Sequence, residues 1–190
     1  MNWYKKSQTS PILQWIETMI LSTKNSGRKL PGTKYSHPDE FFREHGKFFE
    51  SQELTEEEAK TVEQAVGNGR DFKKKQCFYN SQVIAQQSEL KYVEGFCYTG
   101  MFPMAHAWNS INGKVVDVTL YHRNGGLPIL GTFPEGWEYF GVDFPVREIF
   151  KVWMEHKSSL PIISYETDFD YLKRNHPEEQ TENTQKEDLT

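Results

Sequence analysis

The chain has 190 residues, enough for one domain with a buried core, and carries 22 basic against 27 acidic side chains, for a net charge of −5. That balance excludes a general polyanion binder, so no nucleic-acid partner is expected. No apolar run approaches the ~20 residues of a membrane helix; the longest, Ile12 to Leu21, contains Gln14 and Glu17, so no membrane partner is expected either. The opening MNWYKKSQTSP shows no cleavage site and reads as no signal peptide. Two cysteines without an export signal point to free thiols in a reducing compartment, hence to a cytoplasmic protein; a Cys77–Cys97 disulfide is the alternative. At 14% aromatic content, much of the core should be Phe, Tyr and Trp.

Residues 10–22 predict a helix, with Ile12, Leu13, Trp15, Ile16, Met19 and Ile20 on one broad face, Ser10 as N-cap and Pro11 in the first turn. NSGRKLPGTKYSHP is a loop by its Gly and Pro. HPDEFFREHGKFFE restarts a helix at Pro38, which Gly46 interrupts or ends. LTEEEAKTVEQAVGNG predicts a third, opened by a Thr55/Glu58 capping box and stopped at Gly67 or Gly69. Residues 10–69 therefore read as three helices. The one basic cluster, Lys73-Lys74-Lys75, reads as a solvated turn in preference to a binding patch.

Cys77 to Gln87 predicts a helix with Val83, Ile84 and either Phe78 or Tyr79 inward. LKYVEGFCYTG, PMAHAWNSING and KVVDVTLYH then alternate like strands. Asn112-Gly113 between the last two predicts a type I′ hairpin pairing Ile111 with Lys114. Counted outward from that turn, His106 falls near Thr119, two residues from Asp117 and within diagonal reach on one face. RNGGLPILGTFPEGW reads as a loop, WEYFGVDF as a strand, and PVREIFKVWMEHK as a helix with Asp143 near its N-cap. The tail from His176 is polar and acidic and is expected to be disordered. There is no internal repeat. The expected organisation is a helical region over 1–70 packed on an α+β core over 71–175, followed by the tail, 176–190.

Cys77, His106 and Asp117 are the residues that suggest chemistry. A thiolate nucleophile needs a base to take its proton, and the base needs a carboxylate or amide to orient it. A helix start lowers a cysteine pKa and offers a free N–H to an oxyanion. Singly, each residue has a plainer reading: a core thiol, a structural histidine, a carboxylate capping a turn. Zinc at these three would lack a fourth ligand, and no metal or cofactor is expected. Cys97 reads as core and His122 as exposed. Asn80 is either a cleft residue or a satisfied helix-surface amide. Glu94 either borders the cleft or is solvated, and Trp108 either walls the cleft or simply packs.

Cys77 at the helix start, His106-Ala107-Trp108, the glycine turn, and Val115-Val116-Asp117-Val118-Thr119 together resemble the papain-like cysteine enzymes, closest to their transglutaminase-like branch. The resemblance covers residues 76–120 and, weakly, Tyr139 to Val142. It implies a Cys-bearing helix packed on a small antiparallel sheet. It also implies that Cys77, His106 and Asp117 are nucleophile, general base and orienting acid. The papain-type oxyanion glutamine lies several residues upstream of the nucleophile, where this chain has Arg70-Asp71-Phe72-Lys73. The second donor is therefore sought among Gln76, Asn80 and Tyr92. The expected activity is thiol-dependent acyl transfer from a peptide or other amide-containing substrate: amide hydrolase, peptidase, deamidase or transglutaminase-like. The alternative is an inactive interaction module on the same fold. The oligomeric state is not readable.

Overall fold

The computed structural model describes residues 10–67, 72–120 and 123–178. They form an α+β fold. The helices are α1 (Pro11–Asn25), α2 (Pro38–His45), α3 (Glu56–Val66), α4 (Cys77–Gln86), α5 (Val146–His156) and α6 (Asp170–Asn175). The strands are β1 (Lys47–Phe49), β2 (Lys91–Tyr98), β3 (Pro103–Ile111), β4 (Lys114–Asp117), β5 (Ile129–Gly131) and β6 (Glu138–Phe144). All strand pairs are antiparallel, in one sheet of order β1-β6-β2-β3-β4-β5. Among the described residues no helix is long and apolar enough to cross a membrane.

The first helix starts at its expected cap, with Ser10 Oγ accepting the Leu13 N–H. Its buried stripe is Ile12, Leu13, Ile16 and Ile20; Trp15 falls off the stripe by the 3.6-residue period and is 40% exposed. Gly46 ends α2 in an extended conformation, so the following Lys-Phe-Phe is not helix but β1, paired with β6. Its Phe48 and Phe49 alternate between two core clusters, the period-2 pattern of a strand. The predicted capping box opens α3. Its Glu58 does more than cap: Oε1 accepts from Asn112 Nδ2 and Oε2 from Lys114 Nζ, tying α3 to the β3–β4 turn.

That turn has Asn112 at φ 49° and Gly113 at φ 83°, and pairs Ile111 with Lys114 as the Asn-Gly signal requires. The stretch expected as loop after β4 contains β5, which pairs with β4 and buries Ile129. Helix α5 begins with Pro145 at its cap; Asp143, expected there, instead pairs with Lys47 across β6 and β1. The tail expected from His176 lies mostly outside the described residues. Its first part is placed: Tyr35 and Phe41 pack on the His176 ring, and Lys34 donates to its carbonyl. His122 also lies outside the described residues.

The sheet has two differently covered faces. Tyr92, Phe96, Ala107, Phe140 and Phe144 share one core with Ile12, Leu13 and Ile16 of α1, Phe41 and Phe42 of α2 and Ile149 of α5. Phe49, Val93, Cys97, Trp108, Val115 and Tyr139 pack on the opposite face. His106, Gly95 and Gly141 lie opposite one another across β3, β2 and β6. A Cβ on Gly95 would strike the Phe140 carbonyl oxygen and the Gly141 Cα; one on Gly141 would strike the Glu94 carbonyl oxygen and the Trp108 ring. The two glycines let the sheet close up beneath His106 and Trp108. Gly95→Ala is expected to lower the unfolding free energy by about 2 kcal/mol or more, because neither neighbour is a flexible side chain. Urea denaturation checks this, and an unchanged midpoint would contradict it.

Candidate active site

The site forms where β4 stops. Pairing of β3 with β4 ends at Asn109 with Val116, and the chain turns off at Asp117. Asp117 Oδ1 accepts the N–H groups of Thr119 (2.8 Å) and Leu120 (3.2 Å), which makes that turn. Oδ2 accepts from His106 Nε2 at 2.6 Å and from the Tyr139 hydroxyl at 3.1 Å. Beyond the last β4 pair, the edge of β3 at Ala107 is open. The N-terminus of α4 brings Cys77 there, so that its thiol and the His106 ring line one cleft, where the charge of His106 and the Ala107 N–H act on the thiol. Asp117 occupies Nε2, which leaves Nδ1 as the ring nitrogen not engaged by the carboxylate.

The three predicted residues thus form a relay of thiol, imidazole and carboxylate. Asp117 and His106 are buried, at 1% and 4% exposure, whereas Cys77 is half-buried. Burial disfavours the charged form of each, but the local partners outweigh it. The hydrogen bond and charge of His106, with the Ala107 N–H, hold the Cys77 thiol below its ordinary value. The Asp117 charge and hydrogen bond hold His106 well above its own. His106 and the Thr119 and Leu120 N–H groups hold Asp117 below the usual carboxylate range. These directions favour a thiolate–imidazolium pair with a carboxylate behind it. Burial pushes the Cys97 thiol up, so the two cysteines differ in kind.

Other predicted residues take structural places. Asn80 is buried, not a helix-surface amide. Its Oδ1 accepts the Lys73 N–H and its Nδ2 donates to the Lys73 carbonyl and Thr119 Oγ1, which clamps the segment before α4. Tyr92 is buried and its hydroxyl donates to Glu94 Oε1 at 2.7 Å while accepting from Gln82. Glu94 neither borders the cleft nor is solvated. It is 2% exposed and accepts the N–H groups of Ile162 and Ile163, anchoring the segment after α5; burial pushes its carboxyl up to about 7 against the pull of these donors. Trp108 is fully buried and lies behind His106, stacked at an interplanar angle of 18°, so it backs the site without lining it. Gln76 is the exposed N-cap of α4, with no side-chain cap bond. Of the expected donor region, Arg70 and Asp71 lie outside the described residues, and the Lys73 backbone is engaged by Asn80.

Tyr139 is the contributor that sequence reasoning missed. Its signal is faint: a tyrosine on the strand WEYFGVDF, on the same face as Trp108 once β6 pairs with β2. Donor atoms able to converge on a metal ion are found, among the described residues, at Glu155, His156 and Asp170 where α5 meets α6. At Cys77 the imidazole separates thiol from carboxylate, which suits proton relay. The thiol opens onto a cleft of about 430 Å³ lined by Lys74, Lys75, Met104, Ala105, Leu120 and Arg123 along with His106.

Comparison with protein-family models, curated proteins and solved structures finds no match for this chain.

Asp117→Asn is expected to remove the charge that raises His106, and with it the imidazolium that lowers Cys77. The pH profile of Cys77 alkylation should move upward by about one unit or more. Alkylation rates measured across the acid and neutral range check this; an unmoved profile would mean that the carboxylate does not act through His106.

Proposed function

We propose that this chain is a thiol-dependent acyl-transfer enzyme with Cys77 as nucleophile, His106 as general base and acid, and Asp117 as the group that orients and charges His106. The observation that carries the reading is the buried Asp117–His106 pair at 2.6 Å, whose imidazole lines one cleft with a half-buried thiol on the first turn of a helix. The order of Cys-bearing helix, His-bearing strand and Asp-bearing strand supports a papain-like, transglutaminase-like core. The reading rests on this site and not on the α+β architecture, which hosts many functions.

In the proposed reaction the Cys77 thiolate attacks the carbonyl carbon of an amide and the carbonyl oxygen takes the negative charge. The Cys77 N–H, at the positive end of α4, faces that oxygen. The carbon–nitrogen bond then breaks and the amine leaves with the proton held on His106, so a thioester remains. Water, or a second amine, next gives its proton to His106 and attacks the thioester carbon. The carbon–sulfur bond breaks, the acid or new amide departs, and the thiolate returns. Asn80 and Tyr92 are committed elsewhere, so Gln76 is the side chain left to serve as the second oxyanion donor.

Near neutral pH, iodoacetamide should label Cys77 far faster than Cys97, and His106→Ala should slow that labelling. A panel of acyl-trapping electrophiles should react with the wild type and spare Cys77→Ala. Equally sluggish labelling of both thiols would sink the enzyme reading in favour of an interaction module. With a substrate found by such profiling, Gln76→Ala should lower turnover by about 10²-fold and leave the alkylation rate of Cys77 nearly unchanged. Equal losses in both would mean that Gln76 supports the thiolate, not the oxyanion.

A further inference from the structure

The thiol lies among cations that no described acid pairs with. Lys74, Lys75 and Arg123 line its cleft, and among the described residues no carboxylate does. A second hollow, of about 700 Å³, is lined by Gln76, the residue before Cys77, and shares Lys75 with the first; it adds Lys73, the apolar surfaces of Phe78, Tyr79, Leu160 and Pro161, and one acid, Glu166. Among the described residues none of Lys73, Lys74, Lys75 and Arg123 makes an ion pair, whereas Lys24, Lys34, Lys47, Lys114, Lys151 and Lys173 all do. With 27 acids against 22 bases, composition does not predict four unpaired cations at one place.

The cation ring is also built. Asn80 holds both the N–H and the carbonyl of Lys73. The Lys73 ammonium lies 3.9 Å from the Tyr79 ring centroid. Lys75 takes a left-handed conformation at φ 60°, and Arg123 Nη1 donates to Thr99 Oγ1 at 2.9 Å. The sequence alone favours a solvated turn for the three lysines, yet Lys74 lines the cleft at Cys77, Lys73 lines the second hollow, whose Gln76 and Phe78 flank Cys77 in the chain, and Lys75 lines both. Cations focused in a cleft raise the local concentration of an anionic ligand. The apolar walls beside them suit a polypeptide's side chains.

We propose that the two hollows bind one extended acidic peptide segment across Cys77, with Lys74, Lys75 and Arg123 determining its charge specificity. The substrate role rests on the proposed function, because the bound amide must meet a working thiol; the binding preference does not.

The test uses the full chain carrying Cys77→Ala, which cannot react. Fluorescence anisotropy compares a fluorescein-labelled peptide with a central glutamine flanked on both sides by aspartates against the same peptide flanked by lysines. At about 20 mM salt the acidic peptide should bind about tenfold tighter or better, and the preference should collapse near 1 M, where the screening length falls to about 3 Å. Lys74→Glu with Arg123→Glu should abolish the preference. Lys60→Glu with Arg28→Glu, the same charge change outside both hollows, should retain it. Equal binding of the two peptides, a preference that survives the Lys74/Arg123 changes, or displacement by oligothymidylate as effective as by acidic peptide would each overturn the proposal. Because the protein assayed has no thiol at the site, an inert Cys77 in the wild type would sink the enzyme reading and leave this measurement standing.

Discussion

The two carboxylate oxygens of Asp117 organise the centre of this molecule. One oxygen accepts two backbone N–H groups and turns the chain out of β4; the other accepts His106 and Tyr139. An ionised carboxylate at 1% exposure is costly unless it is fully hydrogen-bonded and paired, and this one is both. The same residue therefore ends the strand and fixes the imidazole. Because the strand ends there, the β3 edge at Ala107 has no β4 partner, and that gap admits the first turn of α4 with its thiol.

Behind the relay the molecule is rigid for packing reasons. Gly141 leaves room for the Trp108 ring, and a Cβ on Gly95 would strike the β6 backbone beside it. Trp108 in turn stacks on His106 and meets Phe49 and Tyr139 edge to face. The imidazole cannot rotate freely between a stacked indole and a 2.6 Å bond to Asp117. In front, Asn80 serves the same end by clamping Lys73 and reaching Thr119, which joins the segment before α4 to the turn after β4. On the proposed reading, a site held this way loses little on reaching a productive geometry.

Local rules carried much of this into the sequence. The Asn112-Gly113 turn, the Thr55/Glu58 box, the Ser10 cap and the helix opening at Cys77 all depend on residues within a few positions of one another. The hairpin count put His106 and Asp117 on one face, though it assumed that β4 continued; the actual contact is made at the point where the strand stops. What was not legible is non-local. Tyr139 reaches Asp117 only because β6 pairs with β2, and β1 and β5 are three-residue edge strands whose pattern is too short to read. Besides the Tyr92 hydroxyl, the partners of Glu94 are the Ile162 and Ile163 N–H groups, more than sixty residues away in sequence, so nothing near Tyr92-Val93-Glu94 announces a buried carboxylate anchoring that segment.

The electrostatics of the site are directional, and this bears on what it can bind. Asp117 is screened from the cleft by the imidazole it holds, so the side facing solvent presents the charge of His106 together with Lys74, Lys75 and Arg123. In the proposed reaction, a thiolate at Cys77 offsets part of that charge until it attacks, when its electron pair enters a bond and the charge passes to the carbonyl oxygen. The surrounding cations stay in place through that transfer, so they favour the anion on either atom and do not by themselves drive the step. Their differential effect falls on charges that the substrate brings with it. On the proposed reading, then, the relay of Cys77, His106 and Asp117 sets whether acyl transfer occurs, and the cation ring sets which acyl donor is held there long enough to react.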